Sequence, residues 1–265
     1  MTQPRSEPPV LLSIAEGVAE LRFNRPDQMN ALDVATALAF RDGVRQAVSD
    51  PSVRAIILSG AGRAFLAGGD LRHFRRAADR AQAARALIQP IHDGVLELVE
   101  SRIPTLAAVQ GAVAGAGVSL ALIADMAIAA DNARFVMAYI NIAASPDCGG
   151  SWALPRLVGH RKAAQIALLS EPVSAQEALR LGLVNWVVPA EELDKTARSV
   201  ADRIAAGPAR AMRATRALLD RADASPLKAH LEAELDAFVS AAASADFDEA
   251  LSAFFEKRRP QFRSR

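Results

Sequence analysis

Two glycine-rich turns and one acid carry the chemistry that this sequence offers. In VRAIILSGAGRAFLAGGDLRHF (Val53–Phe74) an apolar run ends at Gly60, and Ala67-Gly68-Gly69-Asp70 stands ahead of a helical pattern. In TLAAVQGAVAGAGVSLALIAD (Thr105–Asp125) a second apolar run ends at Gly111, and Ala114-Gly115-Ala116-Gly117 opens another. Small residues let the backbone approach a ligand closely, and unpaired N–H groups at a helix start point toward negative charge. Two such turns can aim two N–H groups at one oxygen and so form an oxyanion hole. Losing one donor of that kind typically costs on the order of 10²–10³ in rate. Glycine alone is equally compatible with ordinary strand–helix turns. The acid is Asp147, in Ser145-Pro146-Asp147-Cys148-Gly149-Gly150 directly before a helical pattern. That position also suits a carboxylate that merely stabilises a helix N-terminus.

Other chemistries lack their signatures. Neither turn reads G-x-G-x-x-G, because Leu120 stands where the third glycine belongs, and no G-K-[ST] follows for a phosphate loop. G-x-S-x-G and H-E-x-x-H are absent. Histidines at 73, 92, 160 and 230 are scattered, and a single cysteine, Cys148, excludes an internal disulfide or a Cys-rich zinc site, so no metal is expected. No paired histidine stands beside Cys148 in sequence to activate it as a nucleophile. The formal net charge is +1, which provides no long-range attraction for nucleic acid or an anionic membrane. Any anionic ligand must be held by local groups.

These residues need elements to hold them. Short apolar runs at Val10–Ile14, Val18–Phe23, Val53–Ser59, Leu106–Gln110, Met126–Ala130 and Leu183–Val188 read as strands. Helical patterns alternate with them near Asp33–Val48, Leu71–Ser101, Ala116–Ala124, Lys162–Leu169 and Ala175–Leu181, which argues for an α/β fold. Ser174 with Glu177 predicts a capping box, Ser225-Pro226 a helix start with proline at the first position, and Asp246 with Glu249 a further start. After Pro189 only helices are expected, near 191–206, 209–222, 227–243 and 247–258. The division expected is a core over residues 1–200 and a helical oligomerisation region over 201–265. Ile103–Ala124 has no charge and a Gly111/Gly115 pair, yet Pro104, Thr105, Gln110 and Ser119 argue for a strand, a turn and a buried helix over a membrane span. The opening MTQPRSEPP has no apolar stretch and reads as a polar lead-in, not a secretory signal. A cytoplasmic location is expected.

The ordered set of motifs resembles the crotonase (enoyl-CoA hydratase/isomerase) superfamily along nearly the whole chain. It runs from RFNRPDQMNALD (Arg22–Asp33) through both turns to PDCGGSWALPRLVGHRKA (Pro146–Ala163), SAQEALRLGLVNWVV (Ser174–Val188) and AFFEKRRPQF (Ala253–Phe262). The resemblance implies a ββα spiral core with a C-terminal helical region, assembled as trimers or dimers of trimers. It implies an acyl-CoA thioester substrate, with coenzyme A as part of the substrate and no separate cofactor. It also implies an oxyanion hole from the N–H groups of Gly69 and Ala116. By the same resemblance Arg25, Leu66, Ala67 and Arg72 lie where the CoA nucleotide is held, and Phe254 and Lys257 where a C-terminal helix, often a neighbour's, reaches it. Arginine and lysine suit phosphate chemically.

This chain departs from the hydratases of that family at the two glutamates that activate water. Ser119 and Tyr139 stand at the aligned positions, and neither supplies a carboxylate base. Both are expected near the substrate pocket, Tyr139 as a wall with a polar tip. GAVAGAGVSLAL and SPDCGGSWALPR look like ring-1,2-epoxyphenylacetyl-CoA isomerases and dienoyl-CoA isomerases, in which the equivalent of Asp147 moves the proton. The expected function is therefore an enoyl-CoA isomerase in aromatic-acid or fatty-acid breakdown. A hydratase or another crotonase-type lyase or hydrolase is the first alternative. A non-catalytic acyl-CoA-binding oligomer is the alternative of another class.

Overall fold

Three of the strands that the apolar runs predicted are each followed by a second, shorter one that enters another sheet, and this corner is the repeating device of the fold. The computed structural model describes residues 7–262, so most of the polar lead-in lies outside the described residues. The N-terminal strands β1 (Val10–Ala15) and β2 (Val18–Phe23) form an antiparallel hairpin, and α1 (Val34–Ser49) follows. Three turns of a spiral come next. The first is β3 (Ala55–Gly60), β4 (Ala64–Leu66), α2 (Leu71–Arg76) and α3 (Arg80–Glu100). The second is β5 (Thr105–Val109), β6 (Ala112–Ala114) and α4 (Ala116–Ile123). The third is β7 (Met126–Ala130), β8 (Arg134–Val136) and α5 (Gly150–Leu169). Then come β9 (Val173–Ser174), α6 (Ala175–Leu181), β10 (Trp186–Val188), α7 (Leu193–Ala205), α8 (Ala209–Arg221), α9 (Leu227–Ala242) and α10 (Ala245–Phe255).

The first strand of each turn enters one sheet, ordered β1-β2-β3-β5-β7-β10, and the second enters another, ordered β4-β6-β8-β9. Beyond the hairpin the large sheet is parallel, as are β4, β6 and β8. A ββα spiral on two sheets is the α/β architecture that the resemblance implied. The shorter sheet was not legible in the sequence, because strands of two or three residues contain no measurable alternation.

Burial explains why the long strands read as continuous apolar runs. Ile56 and Leu58 of β3 face the main core, while Ala55 and Ile57 face a second cluster with Leu193, Ala197, Ala201 and Ala205 of α7. Alternate side chains thus pack on opposite layers, and neither face of the strand meets water. Helix α4 is buried from Ala116 to Leu122, as an all-round apolar helix must be. The uncharged stretch from Ile103 resolves into β5, β6 and this eight-residue helix, and among the described residues no helix is long and apolar enough to cross a membrane. The C-terminal helices are tied to the core by Arg216 of α8, which donates to Ile103 O (2.8 Å) and pairs with Asp125 (2.6 Å).

Several boundaries differ from expectation for identifiable reasons. The helix expected over Leu71–Ser101 breaks into two, because Asp79 accepts from Gln82 N at 3.0 Å and starts α3 afresh. Only Trp186–Val188 of the run from Leu183 is strand; the Asn185 side chain and backbone pair with Ala127 first. Ser174 caps α6 through Glu177 N (3.2 Å) as predicted. Pro226 itself occupies the cap of α9, with no side-chain cap from Ser225. Ser244, not Asp246, caps α10 by accepting from Phe247 N, and Glu249 pairs with Arg258 at 2.6 Å.

One contact decides where the start of α4 can sit. A β-carbon on Gly117 would lie 2.1 Å from Leu66 O, so the helix presses on β4 closer than any other residue permits. Gly117→Ala is expected to destabilise the fold by about 1–3 kcal/mol through overpacking, read as a lower denaturation midpoint at unchanged m value. An unchanged midpoint would mean that α4 can shift freely.

Candidate active site

The two glycine turns meet. Gly68 and Gly115 both have positive φ (89° and 52°), and the two turns lie side by side: a β-carbon on Gly115 would touch Gly68 Cα at 3.6 Å. Each turn is anchored by its own carbonyls and amides. Leu32 N donates to Gly68 O (2.8 Å), Asp70 N to Leu32 O (2.7 Å), and Gly115 N to Val136 O (2.9 Å). Gly69 N and Ala116 N are left without an acceptor among the described residues, although Ala116 is buried and Gly69 half-buried. Buried backbone donors are almost always paired, so two neighbouring unpaired ones mark a place built to receive an acceptor. Ala116 N is also the first amide of α4, where the helix dipole adds to the attraction.

Asn30 holds this geometry from behind. It is fully buried; its amide nitrogen is shared among Ala61 O, Ala64 O and Phe65 O at 3.0, 2.8 and 3.1 Å, while its oxygen accepts from Arg25 N at 2.8 Å. The N-A-L motif thereby locks the corner between β3 and β4, from which the Gly68-Gly69 turn hangs. Sequence reading missed this role, because Asn30 follows a polar and mostly exposed segment that gives no sign of its burial.

Both free amides open on a cavity of about 420 Å³. Leu71, Phe74, Leu87, Ile88 and Ile142 give it apolar walls, and Asp147 and Tyr139 also line it. Among the described residues lining it, Asp147 is the only carboxylate. The Tyr139 hydroxyl donates to Asp147 Oδ1 in a short hydrogen bond, and the Ser119 hydroxyl lies 3.0 Å from Tyr139 Oη. With the phenol proton committed to the carboxylate, Ser119 is the donor in that second bond. A chain from Ser119 through Tyr139 to Asp147 results. Burial, reinforced by the adjacent Asp147 charge, raises the Tyr139 pKa far above its ordinary value, so the phenol stays a neutral donor. Burial and Asp147 likewise push the Cys148 thiol up, which excludes a ready thiolate at this position.

The remaining expected residues divide. Ala67 lines the cavity, whereas Leu66 is wholly buried and Ser119 lies one hydrogen bond behind the wall. Arg25 and Arg72 come together over Asp70 beside the cavity. Arg72 grips Asp70 with two bonds (3.0 and 3.1 Å) and holds its carboxyl below the usual range; Arg25 bonds Ala31 O and pairs with Asp33 at 3.0 Å. Arg25 is thus committed to structure, while Arg72 remains largely exposed. Phe254 and Lys257, at the end of α10, are exposed and not brought to the cavity within one chain.

A ββα spiral that presents two unpaired amides beside one carboxylate defines a class of site suited to stabilising charge on a carbonyl oxygen. The particular lineage follows from comparison. The enoyl-CoA hydratase/isomerase family model matches residues 13–265, and the chain belongs to that family of enzymes, with the crotonase fold. It is 35% identical to the 1,2-epoxyphenylacetyl-CoA isomerase of Escherichia coli K12 over 96% of this chain and 97% of the relative. It is 36% identical to the crotonyl-CoA hydratase of Syntrophomonas wolfei over 97% and 98%. The crystal structure of an enoyl-CoA hydratase from Polaromonas superposes with a TM-score of 0.89 at 34% identity, over 96% of this chain and 99% of that one.

The hydrogen bond between Tyr139 and Asp147 makes a direct prediction. Tyr139→Phe keeps the ring against Gly115 and removes the donor. Turnover of an enoyl-CoA should fall roughly 10- to 100-fold, the weight of a hydrogen bond to a charged group, with thioester affinity nearly unchanged. Wild-type turnover in steady-state kinetics would remove Tyr139 from the machinery.

Proposed function

We propose that this enzyme is an enoyl-CoA isomerase in which Asp147 carries the proton. The observation that supports this reading most is that Asp147, the one carboxylate among the described residues lining the cavity, shares it with the two unpaired amides of Gly69 and Ala116. The thioester oxygen would accept from those amides, so enolate charge is stabilised as it develops. Asp147 would take a proton from the acyl chain and return it at another carbon, moving the double bond. One carboxylate suffices for such a shuttle. Water addition needs a group to position and deprotonate water, and the two family positions for it hold Ser119 and Tyr139, bonded to each other. The likeness to the 1,2-epoxyphenylacetyl-CoA isomerase agrees with this reading.

Hydration is the second reading, favoured by the similarity to the crotonyl-CoA hydratase. The CoA nucleotide is assigned to the basic corner of Arg72 and Arg25, with Ala67 and the neighbouring strand end beneath it. Assembly into a homo-oligomer is also proposed. Leu227, Leu231, Leu235, Phe238 and Val239 of α9, with Phe254 and Phe255 of α10, are exposed large apolar side chains gathered on two neighbouring helices, as an interface between subunits would be.

A 3-enoyl-CoA incubated with the enzyme in deuterium oxide should isomerise and take up label on the acyl chain. Asp147→Asn should lower that rate at least about 1,000-fold, at the strong end for loss of a positioned base, while CoA-ester binding persists. Rapid conversion of a trans-2-enoyl-CoA to the 3-hydroxyacyl ester would instead favour hydration.

A further inference from the structure

We infer that His92, on the helix that walls the acyl cavity, is a positioning residue for Asp147. The inference rests on the reading of Asp147 as the base. His92 Nε2 lies 3.1 Å from Cys148 N and accepts its hydrogen bond, joining α3 to the turn that bears Asp147. Because a backbone amide can only donate, Nε2 presents a lone pair and the neutral ring keeps its proton on Nδ1.

The turn needs such a hold. Cys148 is 1% exposed and has φ 52°, and Gly149 follows with φ 81°. Two consecutive left-handed residues reverse the chain between Asp147 and α5, and only the second is a residue type that adopts this conformation without strain. Without His92 the buried Cys148 N–H would have no acceptor, since the bonds that close the turn use other groups: Gly150 N donates to Asp147 O at 3.0 Å and Ala153 N to Gly149 O at 2.9 Å. On the opposite side the turn rests on α4, where a β-carbon on Gly149 would come within 2.6 Å of Ile123 Cδ1. The turn is therefore gripped between α4 and His92.

The grip comes from a specific face of α3. Ala84 and Ile88 line the cavity, and His92 stands four residues further along the same stripe. His92 itself is not among the cavity's lining residues, so its effect on the reaction is exerted through the Cys148 amide. One rigid helix thus carries both the wall against which the acyl chain lies and the acceptor that sets the base beside it.

His92→Gln and His92→Met test this, because the two side chains have nearly the same length and only glutamine offers a strong acceptor. In His92→Met kcat for the 3-enoyl-CoA should fall roughly 10- to 100-fold, as a misplaced catalytic group does, with CoA-ester affinity within about threefold. His92→Gln should recover most of the loss. Backbone amide exchange in the peptide spanning Ser145–Gly150, followed by mass spectrometry, should rise in His92→Met and stay near wild type in His92→Gln. Equal kcat in the Met variant and the wild type, or equal loss in both variants, overturns the inference; so does unchanged exchange in all three proteins. Asp147→Asn, assayed in parallel, separates the two ideas. If it remains active, the reading of the base has failed. If it is inactive while His92→Met is normal, only the positioning role has failed.

Discussion

Two backbone amides without partners among the described residues, Gly69 N and Ala116 N on the wall of one cavity, are the constraint around which this molecule is arranged. A folded chain avoids leaving such groups unpaired, because each unmet donor carries a desolvation penalty of about 1–3 kcal/mol. Here the surrounding structure over-determines their place. The spiral brings the ends of β4 and β6 side by side, Asn30 ties the corner of the first turn, and Gly117 seats α4 against Leu66 O. The orphaned donors persist because the backbone that carries them has no freedom to turn away. That stored polarity is what a thioester oxygen can relieve, most strongly when it gains negative charge.

The Asp147 side of the cavity is organised by a different principle. Asp147 stands on a strained turn and not in a regular element, so its place depends on hydrogen bonds from three directions in sequence: Tyr139 from the segment after β8, Ser119 behind it from α4, and His92 from α3. Position is what these contacts supply. Ser119 and Tyr139 also have a physical role that hydrogen bonding makes plain. Their hydroxyls satisfy each other and then Asp147, so the space is occupied by a neutral donor chain.

Much of this was legible in the sequence where the physics is local. Strands β1, β2 and β7 matched their apolar runs almost residue for residue, and the turns at Gly68 and Gly115 declared themselves by composition. The converging of those turns was expressed only as a possibility that family likeness sharpened; adjacency of Gly68 and Gly115 depends on three-residue strands with no periodic signal. His92 was invisible as a partner of Cys148, since nothing at 56 residues' separation marks a side chain that bonds a backbone amide. Arg25 carries contacts that sequence reading did not foresee: its guanidinium bonds Ala31 O and pairs with Asp33 and Asp70.

The most direct measurement is a crystal structure with an unreactive acyl-CoA thioester bound. The carbonyl oxygen should lie within about 3 Å of both Gly69 N and Ala116 N, with an Asp147 carboxylate oxygen within about 3.5 Å of an acyl carbon next to the thioester or two bonds beyond it. A thioester oxygen bound away from either amide, or an Asp147 directed out of the cavity, would contradict the arrangement from which the chemistry is derived.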